Sequence, residues 1–225
     1  KNPDLDEVSR YLNKENRHLL WDLPDGNIEL AERLGKHLQD KTLLFLVALE
    51  RKDCGSLIKY FDSASKILEE DYTIDAGKIA DILMENKVKD GKMAKKLLNK
   101  EFFDDYSEKQ LKYLAGQIND FEMIERELPR DFPESKPLLE RLFELDRERT
   151  KKVLCKPNSL GHQNLEDSAK MAIFVKNLFG KDTLIDFIES NRERLATASA
   201  LKNRLKEEGI FVSMQKGNFV VEVGK

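Results

Sequence analysis

The stretch Thr197-Ala198-Ser199-Ala200-Leu201-Lys202-Asn203-Arg204-Leu205-Lys206-Glu207-Glu208-Gly209-Ile210, with the two strand-like runs around its C-terminal end, decides the fold of the last part of the chain. Ala198, Leu201 and Leu205 recur at helical spacing and make one apolar face. Thr197 stands where a helix N-cap is expected, and Gly209 where a helix stops. Residues 210–215 and 219–223 are β-branched and aromatic runs around Lys216-Gly217-Asn218, the strongest hairpin signal in the sequence.

Upstream, Ala169, Ile173, Val175 and Phe179 belong to an apolar helix that stops at Gly180. Asp182 or Thr183 caps the next helix, which carries Leu184, Ile185, Phe187 and Ile188, and residues 191–194 form a short polar break. The order helix, helix, turn, helix, hairpin is similar to the winged-helix superfamily, over residues 165–225 alone. Leu201 and Leu205 match the inward positions of its third helix, and Gly209-Ile210 matches the opening of its wing. The resemblance implies a third helix that can enter the DNA major groove. With Leu201 and Leu205 inward, the opposite face presents Ser199, Lys202, Asn203 and Lys206. Arg192, Arg194 and Lys216 fall in the turn and wing, where backbone contacts are expected. Lysine binds phosphate and asparagine can read an adenine edge. Glu193, Glu207 and Glu208 dilute this patch, so a solvated face on a module used for protein contacts is the competing reading.

The rest of the sequence reads mainly as short helices. Leu5, Val8 and Leu12 form a first stripe behind a candidate N-cap, Asp4, and Leu23-Pro24-Asp25-Gly26 is turn chemistry. Helices follow over 28–38 and 41–51, the second apolar enough to be buried on most sides. Leu57, Tyr60, Phe61, Ala64 and Leu68 make a further face, residues 74–84 another, and Asp90-Gly91 a turn. Short helices are expected over 92–98, 107–118 and 121–128, with Ser107 and Gln110 as a capping box. One longer helix is expected over 137–154, with Pro137 in its first turn. No fixed repeat period holds, so the reading is a multi-helix array or orthogonal bundle. Residues 155–164 are polar, contain Pro157 and Gly161, and lack helical periodicity. They divide the chain into a helical domain over 1–155, a linker over 156–164 and a winged-helix-like domain over 165–225.

The 225 residues are 40% apolar and 36% charged, with a net charge of -3, so no global field attracts a polyanion and any nucleic-acid contact must be local. No apolar run approaches the roughly 20 residues of a membrane span, and no signal peptide is visible. Cys54 and Cys155 belong to no metal or redox pair, which fits an intracellular chain, cytoplasmic or nuclear.

Candidate chemistry is sparse. His18, His37 and His162 are the only histidines, and Cys155 with His162 lacks a second ligand pair. Cys54, just before Gly55, sits where a helix could start but has no basic partner, so it reads as a small, partly buried residue. The acidic runs Glu69-Glu70-Asp71 and Asp104-Asp105 read as solvated helix ends. Trp21, the sole tryptophan, and the pair Phe102-Phe103 read as core. No catalytic motif, metal site or cofactor site is expected. The resulting expectation is a non-enzymatic binding protein. Its helical domain serves a protein partner and its C-terminal unit contacts DNA or RNA. The alternative is a scaffold or adaptor in which both parts make protein contacts.

Overall fold

A computed structural model describes residues 20–70, 74–129, 132, 134–156, 164–215 and 218–223. The stripe at Leu5, Val8 and Leu12, its cap Asp4, and His18, Asp71, His162 and Lys216 lie outside the described residues. The chain is mainly helical and ends in one antiparallel hairpin. It divides into two compact units: residues 1–97 with 104–110, and residues 98–103 with 111–225.

The first unit contains α1 (Leu23–Gly26), α2 (Ile28–Leu38), α3 (Lys41–Glu50), α4 (Cys54–Glu70), α5 (Ala76–Glu85) and α6 (Gly91–Leu97). Leu23-Pro24-Asp25-Gly26, expected as a turn, is one helical turn with proline in its first positions. Ala31 and Leu34 from α2 bury against Leu43 and Val47 from α3, joined by Leu20. As its composition implies, α3 is buried around most of its circumference, including Leu43, Phe45, Ala48 and Leu49. Phe45 meets Phe61 of α4 with ring centroids 6.2 Å apart.

Two successive junctions in this unit are built alike. α2 ends at Gln39 in the left-handed region (φ 52°), and the next amide, Asp40, donates to Gly35 five residues back at 2.9 Å. The Asp40 carboxylate then caps α3, accepting from the Thr42 and Leu43 amides at 3.0 Å each. Lys52 (φ 54°) and Asp53 repeat the arrangement: the Asp53 amide donates to Ala48 at 2.8 Å, and its carboxylate accepts from the Ser56 amide at 3.2 Å. The left-handed residue closes one helix and the aspartate opens the next, so the chain turns with no spare residue. Asp90 is likewise a cap, accepting from Lys92 and Met93, and Asp90-Gly91 opens α6 rather than forming a free turn.

Residues 104–110 complete this unit. Tyr106 is buried and its hydroxyl donates to the Leu97 carbonyl at 2.9 Å. Its phenol is pushed upward by burial and by the neighbouring Asp105 and Asp75 carboxylates. The Ser107–Gln110 capping box forms: the Ser107 amide donates to Gln110 Oε1 at 2.6 Å, and the Gln110 amide to Ser107 Oγ at 3.3 Å. The Gln110 carboxamide also donates to the Gly77 carbonyl at 2.9 Å and to Asp81 at 2.8 Å. Gly77 permits the close approach of the Asp105 backbone, since a Cβ there would lie 2.5 Å from the Asp105 carbonyl oxygen.

The second unit holds most of α7 (Glu108–Gly116), then α8 (Phe121–Arg126), α9 (Ser135–Leu145), α10 (Arg147–Leu154), α11 (Leu165–Phe179), α12 (Lys181–Ser190), α13 (Arg192–Thr197), α14 (Ser199–Glu207) and the hairpin β1 (Ile210–Gln215) and β2 (Asn218–Val223). Phe102 and Phe103 are buried in it, as their apolar pairing suggests. The helix expected over 137–154 is two helices. Asp146 breaks it by adopting extended backbone (φ -157°, ψ 99°) and capping α10 through the Arg149 amide at 3.0 Å. Within the second unit, Phe132 meets Phe174 at 5.6 Å between ring centroids and Phe143 meets Phe179 at 5.0 Å. Lys151 pairs with Asp186 at 2.9 Å. These contacts join residues before 157 to α11 and α12.

Candidate nucleic-acid interface

α11 begins at Asn164, whose side chain accepts from the Asp167 amide at 2.8 Å, and ends at Gly180 with φ 85°. α12 starts at once. Neither Asp182 nor Thr183 caps it; the N-cap is Gly180, and Thr183 is buried. The expected polar break over 191–194 is instead the start of a short helix, α13. Asn191 is 1% exposed, and its carboxamide donates to the Phe187 carbonyl at 2.8 Å, spanning the end of α12. Leu195 anchors α13 at 1% exposure.

Thr197 belongs to α13 and does not cap α14. Its hydroxyl donates backward to the carbonyls of Glu193 and Arg194, at 3.2 and 3.1 Å. Ala198 is the N-cap of α14, with no side-chain cap. A threonine within reach of a helix behind it satisfies its hydroxyl there, and the cap signal is lost.

Leu201 and Leu205 are each 1% exposed, so the inward face of α14 is the expected one. At 100° per residue this places Ser199, Lys202, Asn203 and Lys206 on one outward arc. Ser199, Asn203 and Lys206 are exposed and Lys202 is half-buried. Ile210 of β1 and Val221 of β2 are buried, and the strands pair from Ile210–Val223 to Gln215–Asn218.

The flanking residues divide. Arg192 is exposed on the first turn of α13, whereas Arg194 is half-buried. Arg204, absent from the expected set, is exposed on the opposite flank of α14. It pairs with Glu207 at 2.6 Å and lies within electrostatic reach of Glu166, and these partners hold its guanidinium above its ordinary value. From Arg192 to Glu208 five bases face three acids.

Two other basic helices escaped the sequence reading. α6 carries Lys92, Lys95 and Lys96 without an acid, but Asp62 of α4 takes both Lys92 and Lys96, at 2.6 and 3.3 Å. α10 carries four bases against one acid. Arg149 pairs with Glu122 at 2.9 Å and lies 4.1 Å from the Phe121 ring centroid; Arg147 lies over the Phe143 and Phe179 rings. Their charge is largely engaged within the protein, while Lys206 is exposed and Lys202 half-buried beside the buried leucine pair.

Both cysteines are disfavoured as thiolates. Cys54 is the first residue of α4 and partly buried, and burial with the Asp53 charge pushes its thiol upward. Burial does the same to Cys155, whose Sγ lies 4.0 Å from the Thr183 carbonyl oxygen. His37 is exposed on α2, and Asp104 and Asp105 are exposed. Among the described residues, no three His, Cys, Asp or Glu side chains converge as metal ligands would. No helix among them is long and apolar enough to cross a membrane. No protein-family model, curated protein or solved structure matches the chain.

Proposed function

We propose that the C-terminal unit is a winged-helix-type module that contacts nucleic acid through the outer face of α14, and that the protein is a non-enzymatic binding protein whose helical region engages a protein partner. The observation that carries this reading is the pairing of a buried Leu201–Leu205 face with an outward arc of Ser199, Lys202, Asn203 and Lys206. Lys202 and Lys206 suit phosphate, and Asn203 suits a base edge. The α14 N-terminus, with no side-chain cap, adds backbone amides of the right polarity for a phosphate. A second reading, a scaffold making protein contacts with the same face, is favoured by Glu193, Glu207 and Glu208 and by the Arg204–Glu207 pair.

Fluorescence anisotropy with labelled duplex DNA and RNA at low salt tests the two. The expected result is weak, salt-dependent binding that Lys202→Glu with Lys206→Glu removes while far-UV circular dichroism is unchanged. Each neutral substitution that frees one phosphate should flatten the salt slope by about 0.9. No binding by the unaltered protein at low salt overturns the nucleic-acid reading and leaves the scaffold.

A further inference from the structure

The first unit carries a cleft of about 510 Å³ between α1, α3 and the start of α5. That volume lies in the range of small-ligand sites, about 300–1,000 Å³. Its apolar wall is formed by the half-buried Trp21 with the buried Leu49 and Ile74. Around it stand four carboxylates, Asp22, Asp25, Glu50 and Asp75, against one ammonium, Lys78, which Glu50 already binds. Asp75 is committed to capping α5 through the Lys78 amide at 2.9 Å. Asp22 and Asp25 are exposed and make no ion pair among the described residues; Asp22 precedes α1 without capping it.

This lining selects a ligand class. Excess negative charge over a low-dielectric wall attracts a cation and repels phosphate. The acids do not converge as a metal-ligand group, which disfavours a bare metal ion. An indole beside aliphatic side chains suits a hydrocarbon stem, and an indole face attracts an ammonium.

We propose that this cleft binds an alkylammonium group on an aliphatic stem, of the kind carried by a lysine side chain of a peptide or by a free polyamine. The head is drawn to the exposed Asp22 and Asp25 carboxylates, and the stem lies along Trp21, Leu49 and Ile74. The site is separate from the α14 face and does not depend on the nucleic-acid reading.

Trp21 is the only tryptophan, so its emission reports this cleft alone. The full chain is titrated at low salt with spermidine, with a short lysine-containing peptide, and with the same peptide acetylated on lysine. The expected result is a saturable change in Trp21 emission, or a shift of its indole N–H resonance, with spermidine, the lysine peptide or both. The acetylated peptide should have no effect. A response to the peptide alone assigns a protein source, and a response to spermidine alone a metabolite source. Asp22→Asn with Asp25→Asn should weaken binding about tenfold, since each carboxylate is a surface-type contact with the cation, and should leave thermal unfolding unchanged. Silence of both readouts with both amines overturns the proposal, as does equal binding by the acetylated peptide or by the double variant.

Discussion

Leu205→Ala is the sharpest test of how α14 faces its unit. Leu205 is 1% exposed and lies one turn from Leu201, also 1% exposed. The substitution removes three carbons from a packed site. At about 0.8 kcal/mol per buried methylene the transfer loss is about 2.4 kcal/mol. Incomplete collapse of the cavity adds to this, giving about 3 kcal/mol. Tenfold in an equilibrium corresponds to about 1.4 kcal/mol, so amides of α14 and β1 that exchange through unfolding of their unit should lose about 100-fold in protection. With a urea slope of about 2 kcal/mol/M, the midpoint of that unit should fall by about 1.5 M. Lys206→Ala, on the exposed arc, should stay within about 0.5 kcal/mol and serves as the matched control. A change for Leu205→Ala as small as the control's would mean that the helix presents another face inward, and the outward arc of Lys202, Asn203 and Lys206 would fall with it.

Gln110→Ala should destabilise the first unit by about 1–3 kcal/mol, because the Gly77 carbonyl loses its buried donor; thermal unfolding checks this, and a neutral result would show that water replaces the carboxamide. The Asp53 carboxyl, held below its ordinary value first by the Ser56 side chain and then by its backbone amide, should titrate in carbon-detected NMR with a midpoint below that of an unfolded aspartate. Its contribution is therefore full above the unfolded value and lost as pH falls through the lower folded one, so exchange of the first α4 amides should quicken only in acid. Asp146→Ala should cost about 1 kcal/mol by removing the α10 cap, read from chemical denaturation. Cys155 should alkylate more slowly near neutral pH than a free cysteine, since burial disfavours its thiolate, and urea should abolish the difference.

What the sequence made legible was whatever rests on short-range chemistry. The Leu201–Leu205 stripe, the apolar α3, the hairpin runs and the Ser107–Gln110 box need only a few neighbouring residues to declare themselves, and each stands where it was expected. The misread features depend on choices between competing partners. Thr197 has a hydroxyl that could cap forward or bond backward, and only the helical geometry of α13 decides. Asp146 reads as a polar residue on a long helix until its backbone extends and starts a second one. The helices before Gln39, Lys52 and Lys87 end within a residue of where they were expected, but the left-handed backbone there (φ 52°, 54° and 53°) uses no glycine, so residue type does not announce that conformation. For the candidate interface, the inward face of α14 was legible, but the engaged charge of α6 and α10 was not. Ion pairs such as Lys92–Asp62 and Arg149–Glu122 join residues distant in sequence. The cleft beside Trp21 gathers side chains from three separate stretches and has no local signature at all.

The return of residues 104–110 to the first unit has a consequence for how the chain is made. Tyr106 and Gln110 supply the donors for the Leu97 and Gly77 carbonyls, yet both come after residues 98–103, which belong to the second unit. During vectorial synthesis, residues 1–97 can emerge and collapse, but the Leu97 carbonyl stays without its donor until Tyr106 has left the ribosome, and the Gly77 carbonyl until Gln110 has. Completion of the earlier unit is thereby timed to the start of the later one, and a fragment ending at Leu97 is a truncated body with an unfinished face. A fragment that keeps both donors must run to Gln110, in the first turn of α7.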